Sequence, residues 1–228
     1  MREWNAGLPH GTDIEKAGIA RLRATALAMD PDPRRTALVS QLALQAFDAL
    51  RPTGATIFRD ERARRILQAA SELHAIGSGS RNTSRQKAAR DAVRALPAPP
   101  GWIRADWELV ALVVRCHRGA EPRGRYREFA RLPKKRQEVV RGLAGVLRLA
   151  HALRRCGVQA RPRLHVDATA KDLRPRVIGL VDTQANAARL AAAKHLLDRD
   201  LRRPLIIESA RPTASAAARR SPLRRVGG

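Results

Sequence analysis

The segment from about Pro133 to Arg155 carries two rows of residues at helical spacing, and this double pattern most restricts the fold. Its apolar residues recur every three or four positions, as on the buried face of an α-helix. They are Val139, Leu143, Val146, Ala150 and Leu153. Basic residues recur every seven positions, and they are Lys134, Arg141, Arg148 and Arg155. At about 100° per residue the basic row lies roughly opposite the apolar stripe, drifting only ~20° per heptad. The sequence therefore predicts a long helix whose basic row is either a binding surface or only a solvated outer face.

The residues before this segment show the same helical periodicity, interrupted by Pro, Gly and Asp. We expect five further helices, which end near Met29, Leu50, Gly77, Leu96 and His117. After Gly157 the pattern changes, because Leu164 and Val166 alternate with polar residues as in a strand. Further strands are expected through Val177–Leu180 and Pro204–Glu208, with a helix between them.

These patterns predict a mainly α protein with a small C-terminal α+β module. The predicted divisions are a helical domain over 1–157, the α+β module over 158–208 and a disordered basic tail over 209–228.

The charge balance predicts an anionic partner, since the net charge is +24 and only six of the 45 basic residues are lysines. Arginine pairs bidentately with phosphate oxygens, whereas lysine acts as a point charge. A GC-rich genome would explain arginine over lysine but not the excess of basic over acidic residues. The candidate anions are nucleic acid, inorganic polyphosphate, phosphorylated nucleotides and anionic membrane surfaces.

Membrane insertion and secretion are not expected from this sequence. Its longest apolar run, Leu109–Val114, is far shorter than the ~20 residues that span a bilayer. The first residues, MREWNAGLPHGTD, have no apolar signal-peptide core. We therefore expect a cytoplasmic protein with no membrane partner, in which Cys116 and Cys156 are buried reduced thiols.

Four segments together resemble the C-terminal HD-like helical domain of the exopolyphosphatase/guanosine pentaphosphate phosphohydrolase (Ppx/GppA) family. They are LALQAFDAL at 42–50, LHAIG at 73–77, VRCHRG at 114–119 and VLRLAHAL at 146–153. The family usually shows Leu-His-Asp/Glu-Ile-Gly at the second segment and Arg-Leu-Ala-Asp-Ala-Leu at the fourth. The resemblance covers roughly Arg34 to Arg155, and the α+β unit that follows resembles the small module that ends those proteins. It implies an HD-like helical bundle.

The departures from the family pattern fall on metal-ligand positions. An HD-type phosphohydrolase holds its metal through a His, a His-Asp pair and a later Asp, which together activate a bound water. Here the pair reads His74-Ala75, His151 stands at the late Asp position, and Arg35 falls near the first His. The His-rich loop of the family reads Arg85-Gln86-Lys87-Ala88. We expect no metal and no cofactor, with His74 and His151 as vestigial positions; His74 equally suits a buried core histidine.

A second departure concerns the family's catalytic half. By the resemblance, phosphatase activity resides in an N-terminal actin-like ATPase half with Gly-rich phosphate loops, and the sequence shows neither GxxxxGK[ST] nor GxGxxG. The resemblance therefore implies an accessory domain standing alone, without catalytic residues of its own, although enzymatic activity stays an open question. It also implies dimerisation or a separate catalytic subunit as partner.

The leading hypothesis is non-catalytic binding of polyphosphate or a phosphorylated nucleotide through arginine-rich faces. The candidate residues are Arg81, Arg85, Lys87, Arg115, His117, Arg118, Lys134, Arg141, Arg148 and Arg155. One alternative is sequence-independent nucleic-acid binding by backbone charge. Another is a residual phosphohydrolase that uses His74, His117 and His151. A weaker alternative is a scaffold whose arginine faces contact acidic proteins.

Overall fold

The computed structural model describes residues 13–77, 84–119, 122, 126–158, 164–168 and 172–210. The helices in this part of the chain are α1 (Asp13–Met29), α2 (Pro33–Ala49), α3 (Glu61–Leu73), α4 (Arg85–Ala95), α5 (Arg104–Cys116), α6 (Arg127–Ala130), α7 (Lys134–Arg155) and α8 (Gln184–Leu201). The strands are β1 (Leu164–Ala168), β2 (Leu173–Ile178) and β3 (Glu208–Ala210). Two short 3-10 turns, Arg51–Thr53 and Thr56–Arg59, connect α2 to α3. The predicted mainly α fold with a small C-terminal α+β module is confirmed.

Side-chain caps fix where several helices begin. The Asp32 carboxylate accepts the N–H of Arg35, and Pro33 occupies the first turn of α2, where its missing N–H costs nothing. The Asp60 carboxylate caps α3 in the same way. The Thr183 hydroxyl accepts the N–H of Asn186 and caps α8.

Helix α7 is the central element, and it packs against α2, α5 and α8. Its predicted stripe faces the core, with Leu143, Val146, Ala150 and Leu153 essentially inaccessible to solvent. Helix α5 is buried along most of its length, from Leu109 to Val114. The two helices therefore form the middle of the bundle, and their C-terminal ends carry the residues of the candidate site.

The three strands form one sheet in the order β1-β2-β3, with β1 antiparallel and β3 parallel to β2. The predicted last strand, Pro204–Glu208, lies earlier than the observed β3. The Asp198 carboxylate accepts the N–H of Leu205, which removes that donor from a strand ladder. Leu205 forms only an isolated bridge with Leu173, and regular pairing starts at Glu208.

One hydrophobic core joins the helices to the small sheet. It contains Leu143 and Leu147 of α7 together with Val177 of β2, Leu197 of α8 and Leu205. The predicted domain boundaries stay predictions, and residues 211–228 of the predicted tail lie outside the described residues. Among the described residues, no helix is both long enough and apolar enough to cross a bilayer.

Gly77 sits where α3 meets α4, and its conformation needs glycine. Its φ is +70°, which side-chain-bearing residues rarely adopt. A Cβ at this position would lie 3.0 Å from the carbonyl oxygen of Ala88 and 3.1 Å from the Cβ of Ala92. The close approach places α4 and Arg85 beside the turn that carries His74.

Candidate anion-binding site

Three histidines that are far apart in sequence lie together in the structure. His74 follows α3, His117 follows α5, and His151 lies in the last part of α7. The ring centroids are 4.6 Å apart for His74 and His151, 5.2 Å for His117 and His151, and 5.5 Å for His74 and His117. All three side chains are buried. We call these three residues the histidine cluster.

Hydrogen bonds set the orientation of each ring in the histidine cluster. Nδ1 of His74 donates to the carbonyl oxygen of Ser71 at 2.7 Å, and Nδ1 of His117 donates to that of Val114. Nδ1 of His151 accepts from the Arg118 guanidinium at 3.5 Å. Nε2 of His117 and Nε2 of His151 have no hydrogen-bond partner among the described residues.

Burial keeps the histidine cluster neutral at physiological pH. It lowers the pKa of His74 to about 4. Burial, with His74 and Arg118 nearby, lowers the pKa of His117 well below its usual value. Burial and the same cationic surroundings lower the pKa of His151 as well. The cluster is therefore a polar but uncharged surface.

The histidine cluster borders a cavity of about 460 Å³ that we call the arginine cavity. Six arginines from four parts of the chain line it, together with His117 and His151. They are Arg35 of α2, Arg118 after α5, Arg148, Arg154 and Arg155 of α7, and Arg189 of α8. None of the described lining residues is Asp or Glu. The cavity is therefore a concave surface of a single charge sign, which attracts anions.

Most of these arginines lack the carboxylate partners that other arginines of the protein have. Arg64 pairs with Asp48 at 2.9 Å and Arg94 pairs with Glu108 at 3.0 Å, as is usual for structural arginines. Five arginines of the cavity form no ion pair with a described carboxylate. They are Arg35, Arg118, Arg154, Arg155 and Arg189. An incoming phosphate would therefore find guanidinium donors that form no ion pair with a described carboxylate.

Burial and repulsion between neighbouring arginines lower the pKa of two guanidinium groups of the arginine cavity. Burial lowers the pKa of Arg118, and the charges of Arg35, Arg85, Arg154 and Arg155 lower it further. Burial and Arg35 likewise lower the pKa of Arg154, against a partly compensating effect of Asp32. An anion bound among these groups would relieve the repulsion.

Arg148 joins the two helices that carry the site. Its Nε and Nη2 donate to the carbonyl oxygen of Cys116 at 3.2 and 2.8 Å. Cys116 is the last residue of α5, and His117 and Arg118 follow it directly. Arg148 therefore holds the turn that presents both residues to the arginine cavity.

A smaller cavity of about 80 Å³ adjoins the arginine cavity and shares Arg35, His117 and Arg118 with it. Arg85 and Gln86 line it as well, so the first turn of α4 lies close to the cationic surface. Asp30 and Asp32 line its other side.

The structure brings together only some of the residues that the sequence pointed to. His117, Arg118, Arg148 and Arg155 line the arginine cavity, and Arg85 lines its neighbour. The remaining predicted residues have other surroundings, apart from Arg81, which lies outside the described residues.

The other four predicted residues lie on three helices. Lys134 and Arg141 belong to α7, Arg115 to the end of α5 and Lys87 to α4. Arg141 pairs with Asp200 at 3.3 Å, and the guanidinium of Arg115 lies 5.0 Å from the ring centroid of Tyr126. Lys134 is exposed at the start of α7, and Lys87 is exposed on α4. Successive members of the α7 row lie about 10 Å apart along the axis, so the row extends beyond one cavity.

Sequence reasoning missed Arg35, Arg154 and Arg189 as members of a basic site. Arg154 directly precedes Arg155, but its position on α7 falls outside the seven-residue repeat. Arg35 drew attention only as a substituted metal-ligand position, and no pattern marks Arg189. Their grouping depends on how α2, α7 and α8 pack.

The histidine cluster does not fit the divalent metal centre that an HD-type domain would hold. Such a centre needs anionic or imidazole ligands, and here Ala75 follows His74 while arginines surround the imidazoles. Among the described residues, no group of three or more His, Cys, Asp or Glu side chains is arranged to hold a metal ion.

Comparison with protein families agrees with this architecture. A family model described as Ppx/GppA phosphatase, domain III, matches residues 24–202, which include every residue of the histidine cluster and the arginine cavity. No curated protein matches the chain.

Proposed function

From the premise that the chain belongs to the Ppx/GppA phosphatase family, through domain III of that family, we propose that it binds a phosphate polyanion in the arginine cavity. The ligand class that we propose is polyphosphate or a phosphorylated nucleotide. The single observation that carries the proposal is the convergence of six arginines on one cavity without an acidic lining residue. Guanidinium groups bind phosphate oxygens through paired, charge-assisted hydrogen bonds, which suits this lining.

The proposed role is binding rather than catalysis. Hydrolysis of a phosphate ester or anhydride needs a group that activates water, and the most effective general bases have a pKa near the operating pH. The described lining of the arginine cavity has no carboxylate, and the pKa values of His117 and His151 are lowered far from neutrality. The proposal therefore includes a phosphatase partner or a second copy of the chain, because the resemblance implies an accessory domain.

The test is a competition measured by fluorescence anisotropy with labelled polyphosphate. Unlabelled duplex DNA, RNA and guanosine tetraphosphate are the competitors, each over a salt series. A shaped site predicts that polyphosphate or the nucleotide outcompetes DNA by more than about tenfold, ~1.4 kcal/mol, at physiological salt. Equal competition by all long polyanions, with binding lost as salt rises, would overturn the proposal in favour of generic charge.

A matched pair of double variants locates the site. Arg118→Gln with Arg154→Gln removes two charges from the arginine cavity. Arg174→Gln with Arg176→Gln removes the same charge from β2, where both arginines pair with carboxylates. We expect the first pair to weaken polyphosphate binding at least about tenfold and the second pair to leave it nearly unchanged. Equal losses for both pairs would contradict a defined site.

A further inference from the structure

A second cavity, of about 290 Å³, lies between α1 and α2 and differs in character from the arginine cavity. Its walls are mostly apolar, with Ala26 and Leu27 of α1 facing Ala37 and Leu44 of α2. Leu27 is 62 % exposed, so its apolar side chain is open to solvent at the edge of this space. We call this space the α1–α2 cavity.

The charge of the α1–α2 cavity is opposite to that of the protein as a whole. Its charged lining residues are Arg23, Asp30 and Glu72, which sum to one negative charge. The chain as a whole carries +24. A locally acidic, apolar cavity in such a protein would select a cation with an apolar body.

Two buried polar atoms at this cavity lack a partner. Glu72 is 9 % exposed; its Oε1 accepts from Arg23 at 3.0 Å and from Gln68 at 3.3 Å, but its Oε2 has no described partner. Thr36 is 6 % exposed, and its Oγ1 is also without a described partner. A buried polar atom left without a hydrogen bond is costly, so each marks a place where a ligand donor would be favoured.

Two other polar groups at the cavity have hydrogen-bond partners within the protein. The hydroxyls of Ser40 and Ser71 bond to each other at 2.8 Å, and the Asp30 carboxylate accepts the N–H of Asp32 at 2.8 Å. Among the buried side-chain atoms of the described lining residues, two therefore lack a partner, one carboxylate oxygen and one hydroxyl oxygen. Both can accept from a group with several N–H donors.

We propose that the α1–α2 cavity binds an organic monocation, an ammonium or guanidinium group on a short aliphatic body. The cationic group donates to the Glu72 carboxylate and the Thr36 hydroxyl. The aliphatic body packs against Ala26, Leu27 and Leu44. This site is separate from the arginine cavity and does not depend on phosphate binding there.

The experiment is an NMR titration of the full chain, which follows backbone amide shifts in phosphate-free buffer. The probe is n-hexylammonium, and hexan-1-ol and hexanoate are its neutral and anionic counterparts. We expect saturable shifts confined to α1, α2 and the end of α3, strongest for hexylammonium and absent for hexanoate. Scattered or non-saturating shifts, or equal binding of hexanoate, would overturn the proposal and leave ordered water as the partner of both atoms.

Three variants make the test specific. Glu72→Gln should weaken hexylammonium binding about tenfold, because it replaces a charged hydrogen-bond acceptor with a neutral amide. Ala37→Leu places a larger side chain at an exposed lining position and should block binding while it keeps Glu72. Glu108→Gln removes the same charge from a carboxylate that pairs with Arg94 elsewhere, and it should bind like the wild type. Wild-type affinity in both Glu72→Gln and Ala37→Leu would refute the site.

Discussion

His74 illustrates how burial sets the chemistry of a single residue in this protein. The ring is almost fully enclosed, its Nδ1 donates to the Ser71 carbonyl of the preceding helix, and Arg118 lies nearby. Both the burial of the ring and the nearby cationic groups disfavour a second proton on it. The histidine cluster is therefore an uncharged surface next to the strongly cationic arginine cavity.

This burial predicts a pH-dependent stability. The unfolded chain protonates His74 near its ordinary pKa of 6.5, whereas the folded protein does so only near 4. Since the unfolded state binds more protons between these values, stability is full above about pH 6.5 and falls as the pH drops toward 4. For His74 alone the loss at pH 5 is about 2 kcal/mol.

Urea denaturation at pH 7.5 and pH 5 measures this loss, with His74→Asn as the comparison because Asn keeps an N–H donor near the position of Nδ1. We expect the variant to lose less stability than the wild type between the two pH values. An identical pH dependence in the two proteins would show that His74 is not the titrating group.

Helix α8 shows how one element completes the arginine cavity. It packs on α7 at Gly145, where a Cβ would lie 3.0 Å from Cγ and Cδ2 of Leu197. This close approach sets the position of α8 and therefore that of Arg189, which closes one side of the arginine cavity. The glycine in the middle of α7 costs helix propensity but permits the packing.

A larger residue at Gly145 should separate the two helices. We expect Gly145→Leu to destabilise the protein by about 1–3 kcal/mol, since the added side chain overpacks the contact with Leu197. It should also weaken polyphosphate binding, because Arg189 moves with α8. Urea denaturation and anisotropy titrations measure the two effects.

Gly142→Ala is the matched control on the same helix. Its Cβ would approach only Cδ1 of Ile57, the far end of a flexible side chain, at 2.7 Å. We expect a rotamer change of Ile57 to relieve this contact. The substitution also gains about 1 kcal/mol of helix propensity. A Gly145→Leu protein with wild-type affinity would show that α8 adjusts without moving Arg189.

The molecule as a whole distributes its excess positive charge unevenly. On α4 and β2, arginines pair with Asp and Glu, as Arg90 does with Glu128 and Arg174 does with Asp172. Around the arginine cavity, Arg35, Arg118, Arg154, Arg155 and Arg189 form no ion pair with a described carboxylate, although Asp32 partly offsets the charge near Arg154. The ligand-free protein therefore holds several like charges close together, and a bound polyanion should stabilise the fold as well as occupy the cavity.

Thermal unfolding tests this consequence. Polyphosphate at about 100 times its Kd should add ~2.7 kcal/mol and raise the Tm by about 5–10 °C. The Arg118→Gln, Arg154→Gln protein should show about half of this shift or less, and the Arg174→Gln, Arg176→Gln protein should show all of it. The same Tm shift in all three proteins would mean that polyphosphate binds over the whole surface.

Much of the fold could be predicted because helical patterns are local. The stripe from Val139 to Leu153, the Pro33 start of α2 and the left-handed turn at Gly77 after α3 all reflect interactions within a few residues of sequence. The family resemblance from Arg34 to Arg155 rested on the same segments and is confirmed by the match over 24–202. The end of the chain was less well predicted, because pairing at β3 depends on the contact between Asp198 and Leu205.

The candidate site could be predicted only in part. Sequence spacing grouped Arg141, Arg148 and Arg155 on one helix face, but it could not show that Asp200 of α8 pairs with Arg141. Nor could it show that Arg35 and Arg189, 154 positions apart, line the same cavity. The roles of the predicted residues stay predictions until the binding experiments are made.

The sequence by itself determined the helices, the family and the overall cationic charge, because these follow from local periodicity and from composition. Only the tertiary structure decided which arginines converge without acidic partners, since convergence depends on how α2, α5, α7 and α8 pack. It also decided that three distant histidines become one neutral cluster, because burial by the surrounding helices, rather than sequence neighbours, sets their pKa values.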